Sequence, residues 1–269
     1  MAVIGTNYAA ISAANYLNTN TNNLNASLEK LSSGSRLANP VDDAAGVAVS
    51  GDLSARDARL GAAINGANDV ISFAQTADGF LSTIQAMLTR MSELAEEGTN
   101  GAFGSSDRAN YQTEYSNLLS TMDLISSNAS FNGSKLFTNT TLSVSINADG
   151  GIDSIKMSTV AYASSLGIQG TSVNTMAAAL TAITLLNNAI VCISNRRATV
   201  NADISKFNFH ITNMKTEQLN VEASNSTIKD LDIASESTNL SKNQILVQAA
   251  TSMLAQANSS QQTVLTLLK

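Results

Sequence analysis

Apolar positions recur every three or four residues along most of the chain, the spacing that gathers one face of an α-helix. An N-terminal stripe runs Val3, Ala10, Ala14, Leu17, Leu24, Leu28 and Leu31. A longer one runs Leu53, Leu60, Ala63, Ala67, Val70, Ala74, Ala77, Leu81, Ile84, Leu88, Met91 and Ala95. A shorter helix is marked by Tyr111, Tyr115, Leu118, Met122 and Ile125. The period returns with Leu186, Ile190, Ile193, Val200, Ile204, Phe207, Ile211, Met214 and Val221, and the tail continues with Leu246, Ala250, Met253, Ala257, Val264 and Leu267. Spacing sustained over so many turns predicts coiled-coil packing of long helices.

Gly34 reads as the C-cap of the first helix. Asn39 then reads as an N-cap, with Pro40 at the first helical position and Asp42 and Asp43 in the first turn. Residues 98–106 read as a loop. Between about residues 126 and 174 the helical period lapses. There Leu142, Val144 and Ile146 alternate with polar residues, Asp149-Gly150-Gly151 turns the chain, and Ile152, Ile155 and Met157 resume, a β-hairpin pattern. The expected fold is mainly α: an elongated antiparallel coiled-coil or helical-bundle rod formed by the N- and C-terminal arms, with a small β-hairpin region in the middle.

Charge sharpens this picture. Only 13% of the 269 residues are charged, and there is one proline to interrupt helices. Residues 1–28 and 243–268 carry no charged side chain at all. Because a solvated helix normally charges its outer face, two uncharged amphipathic ends suggest mutual pairing, with their remaining faces packed on other copies. Desolvating Asn, Thr and Gln costs far less than desolvating a charge.

The net charge of −6 leaves no basic stripe for phosphates, which argues against nucleic acid and anionic membrane surfaces. No uninterrupted apolar run reaches the roughly 18 residues of a bilayer span. The nearest, Met176–Val191, is broken by Thr181, Thr184, Asn187 and Asn188, so no membrane insertion is expected. The first charge is Glu29, so the basic segment of a cleaved secretory signal is missing.

Catalytic chemistry is scarce. A single cysteine, Cys192, excludes an intramolecular disulfide and a Cys-based zinc cluster, and a single histidine, His210, excludes His-rich metal sites. On one helix Cys192 and His210 would stand about 27 Å apart. Asp42-Asp43 and Glu96-Glu97 are adjacent pairs, pointing about 100° apart on a helix, and make no acid/base pair. The glycines at 46, 51, 61, 66 and 79 match no phosphate loop. No catalytic, cofactor or metal residue is assigned.

Leu31-Ser32-Ser33-Gly34-Ser35-Arg36-Leu37 is followed by Asp42-Asp43-Ala44-Ala45-Gly46, then by Gln75-Thr76-Ala77-Asp78-Gly79, Arg90-Met91-Ser92-Glu93-Leu94-Ala95 and Phe131-Asn132-Gly133. The C-terminal arm carries Asp232-Ile233-Ala234, Thr238–Leu246 and Met253–Asn258. In this order the blocks resemble bacterial flagellin, the subunit of the flagellar filament, the first two being similar to the family's N-terminal signature. The segment between Asn139 and Thr175 is too short for large outer domains, and Pro40 and Val41 depart from the usual pattern.

The resemblance implies an inner coiled coil from residues 1–44 and 230–269, an outer rod from 45–138 and 176–229, and a short surface insert at 139–175. It implies a filament core lined by Leu17, Leu24, Leu28, Leu31, Leu246, Met253, Val264 and Leu267. The implied partners are other copies of the chain, flagellar junction and cap proteins, an export chaperone and Toll-like receptor 5. Localisation in the extracellular filament would follow from export through the flagellar type III channel without a cleaved signal. Arg90, Leu94 and Glu114 fall where flagellins contact the receptor, with Glu93 beside Arg90 on the helix, whereas Ser92, Glu96 and Glu97 depart from the strong-agonist pattern. The competing readings are a hook–filament junction protein, which shares the terminal arms, and an intracellular coiled-coil adaptor, which the uncharged ends disfavour.

Overall fold

The computed structural model describes residues 6–139, 141–156 and 161–267, with side chains through residue 263. Its contacts fall into two compact units, unit 1 from Met1–Arg56 and Asn220–Lys269, and unit 2 from Asp57–Leu219. The division lies inside two long helices, α2 (Ala44–Thr99) and α5 (Met176–Lys229).

In unit 1, α1 (Tyr8–Ser33) packs on α6 (Ile233–Leu267). The pairing is antiparallel, as side-chain bonds along its length show. Asn7 donates to the Ala257 carbonyl at 3.0 Å, Asn20 to the Leu246 carbonyl at 3.4 Å, and Asn243 to the Ser27 hydroxyl at 3.3 Å. The Asn7 side chain also accepts from the Ala10 N–H, capping α1. Gly34 ends α1 in the left-handed conformation its missing Cβ permits (φ 67°).

The start of α2 differs from the expected cap. Asn39 instead closes a turn of its own, its side chain accepting from the Val41 N–H at 3.1 Å and its carbonyl from the Asp42 N–H. Asp43 takes over the capping, accepting from the Gly46 N–H at 2.8 Å, and the helix begins at Ala44. Both Asn and Asp stabilise turns and caps by the same local bond, so composition alone does not choose between them. The end of α5 is tied to the turn after α1. The Arg36 guanidinium donates to the Ile228 carbonyl, and the Arg36 N–H to the Lys229 carbonyl at 2.7 Å.

Unit 2 holds the well-filled core. Leu60, Ala67, Ala74, Ala77, Leu81, Ile84, Leu88, Met91 and Ala95 on α2 are all buried, as the stripe predicted. Leu186, Ile193, Val200, Phe207, Ile211 and Met214 on α5 match the other stripe, and Tyr115 and Met122 of α3 (Ser105–Asn128) are fully buried. A bidentate clasp links α2 to α5: Arg197 donates from Nε and Nη2 to both Asp78 oxygens at 2.9 and 3.2 Å, and from Nη1 to Gln85 at 2.9 Å.

After α3 the short strands β1 (Ser130–Phe131) and β2 (Ser134–Lys135) flank Asn132-Gly133, both at positive φ, as a tight hairpin requires. Phe131 meets Phe73 edge-on, ring centroids 5.9 Å apart. The expected second hairpin pairs β3 (Thr141–Ser145) with β4 (Ile152–Lys156). Leu142 faces Ile155, which is buried, but Val144 faces Asp153, while Ile152 points outward, 71% exposed. Strand side chains alternate with period two, so Ile152 and Ile155, three apart, cannot share a face. Met157 lies outside the described residues. The hairpin approaches α2 closely at Gly66, where an added Cβ would stand 2.8 Å from a Val144 methyl.

Residues 161–175, expected as part of a surface insert, pack into unit 2. Ala161, Ala163, Leu166, Ile168 and Val173 are buried around the short helix α4 (Ala163–Leu166). The Ser126 hydroxyl donates to the Ala161 carbonyl at 2.6 Å, Asp123 accepts from the Ala163 N–H, and Gln112 accepts from the Val173 N–H. These bonds satisfy backbone groups of a segment whose one regular element is the single turn of α4.

One stretch of α5 is long and apolar enough, by length and composition, to cross a membrane, despite its polar interruptions. Its residues Ala179, Ala182, Leu186, Ala189 and Ile193 lie buried at helical spacing, the pattern of an amphipathic helix covering a protein core.

Candidate assembly surface

Unit 1 buries little. Its buried side chains among the described residues are Ser27, Ser50, Val221 and Ala250. Leu17, Leu24 and Leu31 are half-buried, whereas Leu28 is 47% exposed and Met253 65%. Leu246 is also exposed, together with Tyr8, Ile11, Tyr16, Ile233 and Ile245. The side chains of Val264 and Leu267 lie outside the described residues. An open groove of about 400 Å³ runs between the two helices. Ala9, Ser12, Ala13, Tyr16 and Asn20 form one wall, and Leu246, Ala249, Ala250 and Met253 the other. The spacings of three and four place each wall on one helix face. None of the described residues lining it is charged.

The geometry explains the composition. The seam is held by Asn7, Asn20 and Asn243, whose amides satisfy carbonyls and a hydroxyl without introducing a charge. What remains exposed is apolar or weakly polar. Exposed apolar side chains gathered about an uncharged groove are the makeup of an association surface.

The residues matched to receptor contact separate into two environments. Arg90 donates from Nε to Glu114 at 2.8 Å and from Nη1 to Glu93 at 3.0 Å, and all three side chains are exposed. The bond to Glu114, then that to Glu93, holds the guanidinium pKa above its ordinary value. Leu94 is a correction to the expected set: it is fully buried. Four residues round a helix overshoot one turn by about 40°. That displacement turns Leu94 from Arg90 towards Met91, to the edge of the buried row.

Asp153, Lys206 and His210 form a cluster that sequence reading missed. Lys206 bridges Asp153 at 3.1 Å and Asp203 at 3.2 Å, and His210 Nε2 lies 3.2 Å from the second Asp153 oxygen. Burial raises the Asp153 pKa, but the Ser154 N–H and Lys206 outweigh it and leave the carboxyl below its ordinary value. His210 thus lies where the hairpin meets α5. Cys192 is a free, exposed thiol. Among the described residues no group of three His, Cys, Asp or Glu side chains could hold a metal ion.

Comparison with known proteins agrees with both arms. Residues 4–141 match the bacterial flagellin N-terminal helical region, and residues 183–268 the C-terminal helical region. The flagellar filament 30.7 kDa core protein of Treponema maltophilum is 32% identical over 99% of this chain and 99% of its own length. The crystal structure of Bacillus cereus flagellin superposes with TM-score 0.50 at 28% identity, covering 55% of this chain and 86% of that one. A putative flagellar hook-associated protein from Vibrio parahaemolyticus gives TM-score 0.61 over 70% of this chain and 100% of that one, but at 12% identity it shows the fold alone.

Proposed function

The chain belongs to the bacterial flagellin family and is a structural subunit of the flagellar filament outside the cell, and we propose that it polymerises through unit 1. The observation that carries this reading is the uncharged, open surface with exposed apolar side chains that residues 8–28 of α1 and 243–263 of α6 present. In the filament, Leu17, Leu24, Leu28, Leu31, Leu246 and Met253 pack against the same helices of neighbouring copies, and Val264 and Leu267 extend the stripe. Completing the burial of a half-covered Leu or Met contributes on the order of 1 kcal/mol. Six such positions per copy therefore contribute about 6 kcal/mol against the roughly 4–15 kcal/mol that association costs in lost translational and rotational freedom.

The exposed Arg90, Glu93 and Glu114 cluster is the proposed contact for Toll-like receptor 5, with Leu94 acting only as its buried support. Junction and cap proteins meet the same terminal helices at the filament ends, and an export chaperone covers them before assembly. Passage through the flagellar type III channel suits such an uncharged helix pair. At 12% identity the likeness to a hook-associated protein shows the fold alone and does not favour the junction-protein alternative.

The test is seeded growth. Monomer added to short filament fragments should give long filaments of uniform width by negative-stain electron microscopy. Removing residues 1–20 should leave unit 2 folded by circular dichroism and abolish growth. Normal filaments from that truncation would overturn the reading. For the receptor contact, Arg90→Ala should lower receptor activation by the monomer, and unchanged activation would refute it.

A further inference from the structure

We propose that Asn100 is a self-modification site, converted through a cyclic imide to aspartate and isoaspartate by the backbone nitrogen of Gly101. The chain holds three Asn-Gly pairs, at 65–66, 100–101 and 132–133. Glycine in second place leaves its nitrogen unhindered, because it has no Cβ. Closing the ring demands a backbone torsion at the asparagine that neither the helical nor the left-handed region contains. Asn65-Gly66 lies inside α2, where the ring would break the helical ladder. Asn132 is held at φ 47° between β1 and β2, and the ring would undo their pairing. Asn100 and Gly101 lie past the end of α2, exposed, in the connection to α3.

This connection also supplies donors where the reaction develops charge. Removing the Gly101 amide proton puts negative charge on the Asn100 carbonyl oxygen, which shares the same peptide unit. That oxygen already accepts from the Arg108 guanidinium at 3.2 Å and from the Phe103 N–H at 3.3 Å. Attack on the side-chain carbonyl then puts charge on Oδ1, which accepts from the Ala102 N–H at 2.9 Å. Donors fixed beforehand at both oxygens favour the charged species over the neutral amide. Arg108 is itself anchored, since its Nε donates to the Gly98 carbonyl at 3.1 Å.

The steps need only water and hydroxide. Hydroxide takes the Gly101 amide proton, and the nitrogen bonds to Asn100 Cγ. The Cγ–Nδ2 bond breaks as Nδ2 takes a proton from water and leaves as ammonia. Water then opens the imide. At the side-chain carbonyl it restores the ordinary backbone and leaves aspartate. At the backbone carbonyl it leaves isoaspartate, with the chain running through Cβ and Cγ. Either product sets a new carboxylate beside Arg108 and adds one negative charge to a chain of formal net charge −6.

Ageing the full-length monomer at mildly alkaline pH, in buffer and in urea, and mapping its peptides by mass spectrometry reads the conversion at all three pairs. In the folded chain Asn100 should convert at least tenfold faster than Asn65 or Asn132. It should also convert at least threefold faster than it does in urea. Gly101→Ala, whose added Cβ would meet nothing within 4 Å, should slow it at least tenfold. Arg108→Leu, with helicity unchanged, should slow it at least threefold in the folded chain and leave the rate in urea as it was. Equal rates at the three pairs in the folded chain, or an Asn100 rate no higher than in urea, would overturn the proposal. A folded Arg108→Leu chain that converts as fast as the wild type would overturn it too.

Discussion

The clasp between Arg197 and Asp78 offers the sharpest quantitative test of how unit 2 is held together. Both side chains are partly covered, 31% and 22% exposed, and the guanidinium meets the carboxylate through two N–H groups. Exposed ion pairs contribute about 0.2–1 kcal/mol, whereas removing one partner from a fully buried pair costs about 3–5 kcal/mol. This pair lies between those limits. Arg197→Ala also orphans Gln85 Oε1 and leaves Asp78 only the Asn201 amide at 3.4 Å. The expected loss is therefore about 2 kcal/mol for Arg197→Ala and about 1.5 kcal/mol for Asp78→Asn, which keeps part of the hydrogen bonding. Together they should cost less than the sum by about 1 kcal/mol, the coupling of a bidentate charged pair. Urea unfolding of the monomer, followed by far-ultraviolet circular dichroism for the wild type, both single variants and the double variant, measures that coupling. A value below about 0.3 kcal/mol is indistinguishable from simple additivity and would refute the claim that the clasp acts as a unit.

Other expectations follow from the same structure. Leu88 is fully buried on α2, and Leu88→Ala should destabilise unit 2 by about 3–5 kcal/mol in chemical denaturation, while a loss below about 1 kcal/mol would mean the core is loosely packed. Asp43→Ala removes the observed cap of α2 and should cost about 1 kcal/mol, whereas Asn39→Ala should cost measurably less; the reverse order would restore Asn39 as the cap. The Asp153 carboxyl titrates below its unfolded value of 3.8, so its contribution is fully present above that value and is lost as pH falls through the lower, folded one. Hairpin amides should accordingly lose hydrogen-exchange protection as pH drops below about 4, more than Asp153→Asn does over the same range, and identical profiles would contradict the linkage.

The long helices were legible because their signal is redundant. A dozen positions on α2 agree on one face, and a misjudged residue does not move the stripe. Single-residue decisions were less secure. Leu94 sits at the edge of the buried stripe, where an i,i+4 relation to Arg90 does not decide between exposure and burial. Ile152 looked like an inward strand position from its hydrophobicity, but the register gives that place to Asp153, whose partners Lys206 and His210 lie more than fifty residues away in sequence. No local pattern announces such a pairing. Residues 161–175 lacked any period because their order comes from Gln112, Asp123 and Ser126 on α3 rather than from repeating structure. The uncharged ends were the most informative feature of the sequence. Charge absence reports what a surface will touch, even when its partner is another copy of the chain.

The central claim is that α1 and α6 complete their burial only between subunits. Amide hydrogen exchange, measured on the monomer and on intact filaments of the same preparation, tests it most directly. Amides of α1 and α6 should exchange within seconds to minutes in the monomer and become protected by several orders of magnitude in the filament, while those of the α2 core change little. Equal protection of α1 and α6 in both forms would show that the helix pair is complete on its own and would contradict the account.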